Sequence, residues 1–402
     1  MTAPHAPAAR ASSREIVILV IACFAIVLVQ SVVFAAQGLS LFAMAQDLGF
    51  SPATTGTAFT CVVLGASAGA PLPILLIPRL GGRGTMVAGL TTLATAALTL
   101  SNAEGSLALF LGTFLSGMGF SLAGTTTGVH LIAGWSGARS DRMISTYMMA
   151  AMAANAIGPP LAQGLIAQVG WRGYDLSVAL LGGGLALTAL FLLREPPVAS
   201  GEKAGGRATA AIGPIVRSAP FVVLALATVV TQTCLVTVSS VAPAHLADQN
   251  LSADVTARLL GIEGLAATAI AGLGGFLTRF FPARHLLTAS LVSTGLAMPI
   301  LAMAPPGAGL FAFAVLLGAG VGGATLAVTL LVVELFGQQG VSSLGVVWTL
   351  AGFAALGPWI AGVSAQATGS YVPALIGLGV VQLPIALLSL RLRKRRVALH
   401  PA

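Results

Sequence analysis

Charge is what this sequence has least of. Asp, Glu, Lys and Arg together make up 7% of the 402 residues, whereas 56% of the residues are hydrophobic. Soluble domains carry about 25% charged residues, so this composition excludes a water-soluble globular fold. Cysteine is also scarce. The three thiols, Cys23, Cys61 and Cys234, lie in apolar stretches with spacings that fit neither a zinc site nor a disulfide framework, and we expect no metal and no cofactor.

The motifs of several function classes are missing from the chain. A phosphate-cradling G-x-x-x-x-G-K-[ST] loop does not occur, which excludes direct use of ATP. The sequence has neither a His/Asp/Glu metal cluster nor a nucleophile with its base, so we expect no enzyme. The net charge is +8, but no basic face with interleaved aromatic residues accompanies it, so we expect no nucleic-acid partner.

Long apolar stretches dominate what is present. Runs of about 20 apolar residues separated by short polar breaks predict membrane-spanning helices, and the first run is too long for a cleaved signal peptide. The predicted fold is an all-α polytopic membrane protein with twelve spans in two six-helix bundles. The spans are predicted near 16–41, 53–77, 85–103, 107–134, 143–168, 174–193, 217–242, 255–278, 284–304, 308–335, 341–366 and 371–391.

The second half of the chain repeats the first at an offset near 201 residues. Asp47 to Ser51 matches Asp248 to Ser252, Gly117 and Gly119 match Gly318 and Gly320, and Arg83 matches Arg284. The segment 157–159 recurs at 356–358. A parallel duplication in a membrane chain predicts two bundles that rock about a shared central site. We place the bundles at residues 1–193 and 217–402, joined by a polar cytoplasmic linker at 194–216.

Basic residues predict the orientation. If both termini lie in the cytoplasm, Arg172 and Arg258 fall on the outer side of the membrane and the rest of the 19 Lys and Arg residues fall on the cytoplasmic side. This distribution satisfies the positive-inside rule. We therefore expect a multi-pass protein of the cytoplasmic membrane. The lipid bilayer is its predicted partner, the basic tail could contact anionic lipid, and we expect a monomer.

Twelve spans, the duplication and the central loop resemble the major facilitator superfamily. The loop from Pro78 to Arg83 resembles that family's D-R-x-G-R-[RK] loop, with Pro78 at the Asp position and Gly82 at a basic one. The resemblance implies alternating-access transport, with an altered conformational lock at this loop. Gly170 to Gly173 resembles the G-W-R-G stretch of the oxalate–formate and monocarboxylate branch. Gly158 to Leu161 also resembles the start of the G-P-x-x-G-G motif of drug–proton antiporters.

Ionisable groups within the spans are the first candidates for coupling and binding, because they are costly to bury. Glu263 lies in span 8, where an unpaired carboxyl is expected to be protonated and could carry a coupling proton or pair with a cationic substrate. A neutral, hydrogen-bonded structural Glu is the alternative. Arg258 lies about 140° from Glu263 around the same helix, and could bind a carboxylate or extend to the outer interface. His130 could transfer protons or bond a backbone carbonyl.

Uncharged polar groups and loop charges complete the candidates. Gln30, Asn155 and Gln232 are predicted near mid-membrane, where either a substrate or a facing helix must pair their amides. Trp348 could line the binding pocket or serve in packing. We expect the gating charges to lie in the cytoplasmic loops and at the end of span 10: Arg79, Arg83, Arg279, Arg284 and Glu334.

We therefore predict a secondary transporter of a small organic solute, with an organic anion as the favoured cargo, working by proton symport or by exchange. Proton-coupled efflux of amphipathic compounds is the main alternative. Efflux of cations usually requires an acid in the first bundle, and we expect no well-buried Asp or Glu in spans 1 to 6. A receptor that no longer moves solute is a third possibility, although no soluble output domain is inserted in the chain.

Overall fold

The computed structural model describes residues 13–136, 139–196, 213–277, 280–341 and 343–392. The described residues are almost entirely helical, which confirms the predicted all-α membrane fold. Two irregular helices interrupt the α-helices, a π-helix at Ser31–Ala35 and a 3₁₀-helix at Ala351–Ala355. The α-helices, numbered here in chain order, are α1 Ser13–Gln30, α2 Gln37–Leu48, α3 Pro52–Gly69, α4 Leu72–Ser101, α5 Ser106–Ala123, α6 Thr125–Ser136, α7 Ser140–Leu192, α8 Ala219–Asp248, α9 Ala253–Leu277, α10 Ala283–Met303, α11 Ala308–Val341, α12 Leu344–Leu350, α13 Leu356–Thr368 and α14 Val372–Ser389.

Ten helical stretches within the described residues are long and apolar enough to cross a membrane. One of them, α7, has 53 residues and would be about 80 Å long if straight, more than twice the hydrocarbon thickness. Gly170, with φ 73° and ψ 172°, breaks it into the predicted spans 5 and 6. Gly81 likewise separates the start of α4, which continues α3 as span 2, from the remainder, which is span 3. These two breaks account for the twelve predicted spans.

The duplication is visible in the turns. Gly49 and Asn250, 201 residues apart, both have positive φ (69° and 62°). Gly170 and Gly369, 199 residues apart, have φ of 73° and 74°. Left-handed backbone at matching positions ends the matching helices in each half, where glycine or asparagine is tolerated.

The duplication also extends to the contacts between helices. A Cβ on Gly117 of α5 would meet the carbonyl of Val62 in α3, and a Cβ on Gly318 of α11 would meet the carbonyl of Glu263 in α9. Residues 62 and 263 are themselves 201 apart. The glycine runs of spans 4 and 10 therefore allow close helix packing in both halves.

The two halves meet mainly at their predicted outer ends. Gly38 of α2 packs on the backbone of Ser239 in α8, and Gly56 of α3 packs on Pro358 in α13. At the tip of this contact, Ser51 Oγ donates to Gln366 Oε1 at 3.3 Å. The structure is thus closed on the predicted outer side. Most of the proposed linker, residues 197–212, lies outside the described residues, so the domain boundaries stay a prediction.

Candidate functional site

Glu263 lies at the contact between the two halves. Its residue is 7% exposed, and the next residue, Gly264, packs against the backbone of Asn155 in α7. Gly261, one turn earlier, packs on the carbonyl of Ala156. Among the described residues no hydrogen bond or ion pair to the Glu263 carboxyl is found. A buried carboxyl without a cation is chemically suited to binding and releasing a proton.

Arg258 does not approach Glu263. The guanidinium lies on the exposed side of α9, two residues from the buried Leu260, and it takes part in no ion pair among the described residues. An exposed position is compatible with a side chain that extends to the outer interface.

Two of the predicted mid-membrane amides bind each other. Gln30 Nε2 donates to Asn155 Oδ1 at 3.0 Å, joining α1 to α7 within the first half. At the adjacent residues, Ser31 Oγ donates to the carbonyl of Ala154. The sequence analysis left open whether a substrate or a facing helix pairs these amides. In the structure the partner of Gln30 and Asn155 is a facing helix. Because Gly264 packs on Asn155, this amide pair lies directly behind the contact with α9.

The third amide lies in a recess of the second half. Gln232 and Trp348 line a small recess together with Thr228, Thr231, Ala324, Thr325 and Val328. Trp348 is 44% exposed, and Thr231 Oγ1 is buried with no hydrogen-bond partner in the described part of the chain. The lining offers an amide, hydroxyls and an indole ring. Such groups can hydrogen-bond and stack on an uncharged or neutralised organic solute.

The loop that resembles the family's gating motif is held by an acid that the sequence analysis did not single out. Glu195, just after α7, accepts hydrogen bonds from the backbone N–H groups of Gly82 at 2.9 Å and Arg83 at 2.8 Å. These are free N–H groups at a helix start after the Gly81 break, where a carboxylate is favoured. With Pro78 at the Asp position, Glu195 supplies the negative charge at this turn.

The remaining predicted gating residues are spread along the opposite end from the Ser51–Gln366 contact. Arg79, Arg83 and Glu334 are exposed, and Arg284 Nε donates to His285 Nε2 at 3.3 Å. Arg279 lies outside the described residues. His130 is exposed and packs against Gly82, which places it at the gating loop and far from mid-membrane.

The expectation that spans 1 to 6 contain no well-buried acid is wrong. Asp175, in the second part of α7, is 2% exposed. The predicted span 6 begins at residue 174, which places Asp175 at the edge of that span. In the structure the break at Gly170 begins the helix earlier and packs Asp175 beside Ser40 of α2. Neither Asp175 Oδ2 nor Ser40 Oγ has a hydrogen-bond partner among the described residues.

Each half carries an acid and an aromatic residue at its outer turns. Asp47 accepts hydrogen bonds from Trp171 Nε1 at 3.0 Å and from Arg172 at 3.2 Å. At the repeat-related place, burial and then the negative charge of Asp248 raise the pKa of Tyr371 to about 12. Sequence similarity pointed to Asp47 and Asp248, but not to their aromatic partners.

Fold and site together define a multi-pass membrane protein: two related helical bundles, closed at one end, with buried polar groups where they meet. The chain belongs to the Major Facilitator Superfamily, whose model matches residues 19–358. No curated protein matches.

Solved structures support the same fold. The nucleoside transporter NupG superposes with a TM-score of 0.74 at 13% identity, covering 94% of this chain and 98% of that one. A bacterial homologue of the human lysosomal transporter Spinster, inward-facing and occupied, gives 0.75 at 14% identity, covering 94% and 95%. The D-xylose–proton symporter gives 0.72 at 15% identity, covering 95% and 99%. These neighbours do not support the predicted oxalate–formate and monocarboxylate branch.

Proposed function

We propose that this protein is a secondary transporter that moves a small polar organic solute by alternating access and couples it to a proton carried by Glu263. The observation that carries this proposal is the buried Glu263 carboxyl on α9, which has no hydrogen bond or ion pair among the described residues and directly precedes Gly264 at the contact with α7. When the halves separate, this contact opens and the carboxyl gains access to water. A protonated carboxyl is neutral and stays buried at little cost, whereas the ionised form requires water or a cation.

The recess suggests the cargo class. No charged side chain is among the described residues that line it, and Gln232, Thr231 and Trp348 offer hydrogen bonds and a ring face. We therefore favour an uncharged, hydrogen-bonding solute. The structural neighbours include a nucleoside transporter and a D-xylose–proton symporter. An organic anion remains within the proposal, because an anion moved with a proton crosses the membrane as a neutral pair.

Reconstituted liposomes test the coupling. Wild type and Glu263→Gln are compared for uptake of a labelled panel of nucleosides, pentoses and carboxylates under an imposed pH gradient, with an internal pH dye. We expect Glu263→Gln to abolish accumulation against a gradient and solute-induced proton movement, while solute exchange persists. Glu104→Gln, the same change at an exposed acid between α4 and α5, is the matched control. Unchanged pH-driven accumulation in Glu263→Gln would remove the coupling role.

Proton-coupled efflux of amphipathic cations is the second candidate, and one observation favours it. Asp175 provides the buried acid in the first half that the sequence analysis had not found. Efflux predicts that fluorescent lipophilic cations leave liposomes when the pH gradient is applied, and that Asp175→Asn stops them. Accumulation of neutral solutes without movement of cations would decide against efflux.

The cytoplasmic location of both termini also remains a proposal. Single cysteines at Gln46 and at Arg83, in a background without native cysteines, can be labelled in whole cells with an impermeant maleimide. We expect Gln46→Cys to react from outside and Arg83→Cys to react only after lysis. The reverse labelling pattern would show that both termini lie on the outer side of the membrane.

A further inference from the structure

The short helix α2 is packed on all sides at its first turn. Gln37, Gly38, Leu39, Ser40 and Leu41 are all buried. Gly38 packs on Ser239 of α8 in the second half, while Ser40 lies beside Asp175 of α7 in the first half. Two residues are about 200° apart on an α-helix, so these contacts lie on opposite faces. The start of α2 is therefore a layer between the buried acid and the other half of the molecule.

The segment before α2 is suited to bending. Ser31–Ala35 form a π-helix between α1 and α2, and Ala36 has a φ of −110°, away from regular helix. π-helical turns leave backbone bonds irregular and are common at functional sites. Ser31 Oγ donates to the carbonyl of Ala154, and Gly158 packs on Ser31. The first residue of this segment is therefore fixed to α7. Motion at the π-helix would displace α2 relative to α7.

The charges around Asp175 are already paired or lie elsewhere. On its own helix, Tyr174 is adjacent, and Arg172 is one turn away and bound to Asp47 and to the carbonyl of Ala103. On α4, the residues facing this part of α7 near Gly182 are Leu90 and Ala94. The titratable groups on other helices that pack against α7 lie near parts of α7 other than Asp175. Cys23 of α1 is beside Tyr147, and Glu263 of α9 precedes the glycine that packs on Asn155.

We propose that Asp175 is a second proton-binding site, and that its ionisation releases α2 and opens the outer side of the transporter. As the neutral acid, Asp175 is compatible with the buried layer. On ionisation the carboxyl O–H bond breaks, the proton leaves to outer water and the carboxylate remains. That charge has no cation within the layer, so the packed state becomes unfavourable and water enters as α2 moves away. The proposal rests on alternating access but not on Glu263 as the coupling group.

Distance measurement across the outer contact tests this. Spin labels are placed at the exposed positions Gln46, near the end of α2, and Gln249, just after α8, in a background without native cysteines. Label-to-label distances are recorded in nanodiscs by pulsed electron paramagnetic resonance between about pH 5 and about pH 9. We expect the long-distance fraction of wild type to rise about tenfold or more over this range, relative to the short-distance fraction.

Three variants decide the outcome. Asp175→Asn should stay at the short distance at every pH, and the matched control Asp254→Asn, at an exposed acid of α9, should behave as wild type. Ser40→Ala should move the opening midpoint to higher pH, because its hydroxyl can donate to the carboxylate. Opening in Asp175→Asn with the wild-type pH dependence would overturn the proposal. If Asp175→Asn does not fold, an unmoved midpoint in Ser40→Ala overturns it instead.

The same measurement separates this proposal from the proposed function. It needs neither solute nor a gradient, and Glu263→Gln should keep the pH-dependent opening. Loss of the response in Asp175→Asn alone, together with unchanged transport in Glu263→Gln, would support the Asp175 site and reject Glu263 as the coupling group. Loss of the response in Glu263→Gln with retention in Asp175→Asn would reject the Asp175 site.

Discussion

A substitution at the Gly264 contact should shift the equilibrium between the two transport states. A Cβ at this position would lie 2.5 Å from the carbonyl carbon of Asn155, whereas ordinary contact begins at 3.4 Å. Gly264→Ala therefore requires α9 and α7 to separate by about 0.9 Å. The neighbouring atoms are backbone, so they cannot rotate away as a flexible side chain would. Separation of the halves at this contact favours the state that is open on the outer side.

The expected magnitude follows from overpacking. Extra methyl groups in a close-packed interface cost about 1 to 3 kcal/mol. If the state open on the outer side is free of this contact, the equilibrium shifts toward it by about 5- to 140-fold. Gly272→Ala is the matched control, since it adds the same methyl group to the same helix at a place with no atom within 4 Å of the new Cβ.

The spin-label pair at Gln46 and Gln249 reports the result. We expect Gly264→Ala to enlarge the long-distance population, and Gly272→Ala to match the wild type. Solute exchange measured in liposomes should fall in Gly264→Ala if the closed state is needed in each cycle. Identical distance distributions for the two variants would refute the assignment of this contact to the closed state.

Two further predictions concern single interactions. Gln30→Ala and Asn155→Ala should be non-additive in a double-mutant cycle of unfolding in mixed micelles, with a coupling energy of about 0.6 to 1.7 kcal/mol; strict additivity would mean that the 3.0 Å amide pair does not contribute. Tyr371, buried near Asp248, has its pKa raised to about 12. Because the folded state favours the neutral phenol, Tyr371 contributes to the free energy of unfolding below about pH 10. This contribution is lost as the pH rises through about 12. Alkaline unfolding followed by tyrosinate absorbance should therefore lose part of its pH dependence in Tyr371→Phe, and an unchanged profile would contradict this.

Glu263 and Asp175 show how far sequence reasoning reached for the site. Glu263 stood out because it interrupts a long apolar run, and its burial agrees with that position. Asp175 follows Trp171, Arg172 and Tyr174 at the edge of a predicted span, where a solvated acid is common. Its burial depends on the break at Gly170 and on α2, more than 130 residues earlier in the chain. No local pattern contains that contact.

The polar groups show the same limit. Gln30, Asn155 and Gln232 were expected to need partners, but no sequence pattern pairs Gln30 with Asn155, 125 residues away. Nor does any pattern indicate that Gln232 shares a recess with Trp348. Glu195 was placed in the linker, and its two bonds to the turn at Gly82 depend on the ends of two helices meeting.

The sequence by itself determined the membrane class, the all-α architecture and the duplication. These features are linear: apolar length sets the spans, and glycine or asparagine at matched offsets sets the turns, as at Gly49 and Asn250. Only the tertiary structure decided which side is closed, which amides pair and which acids are buried. Those properties arise where helices distant in sequence pack together, and in a chain of uniformly apolar helices the hydropathy pattern does not specify which faces meet.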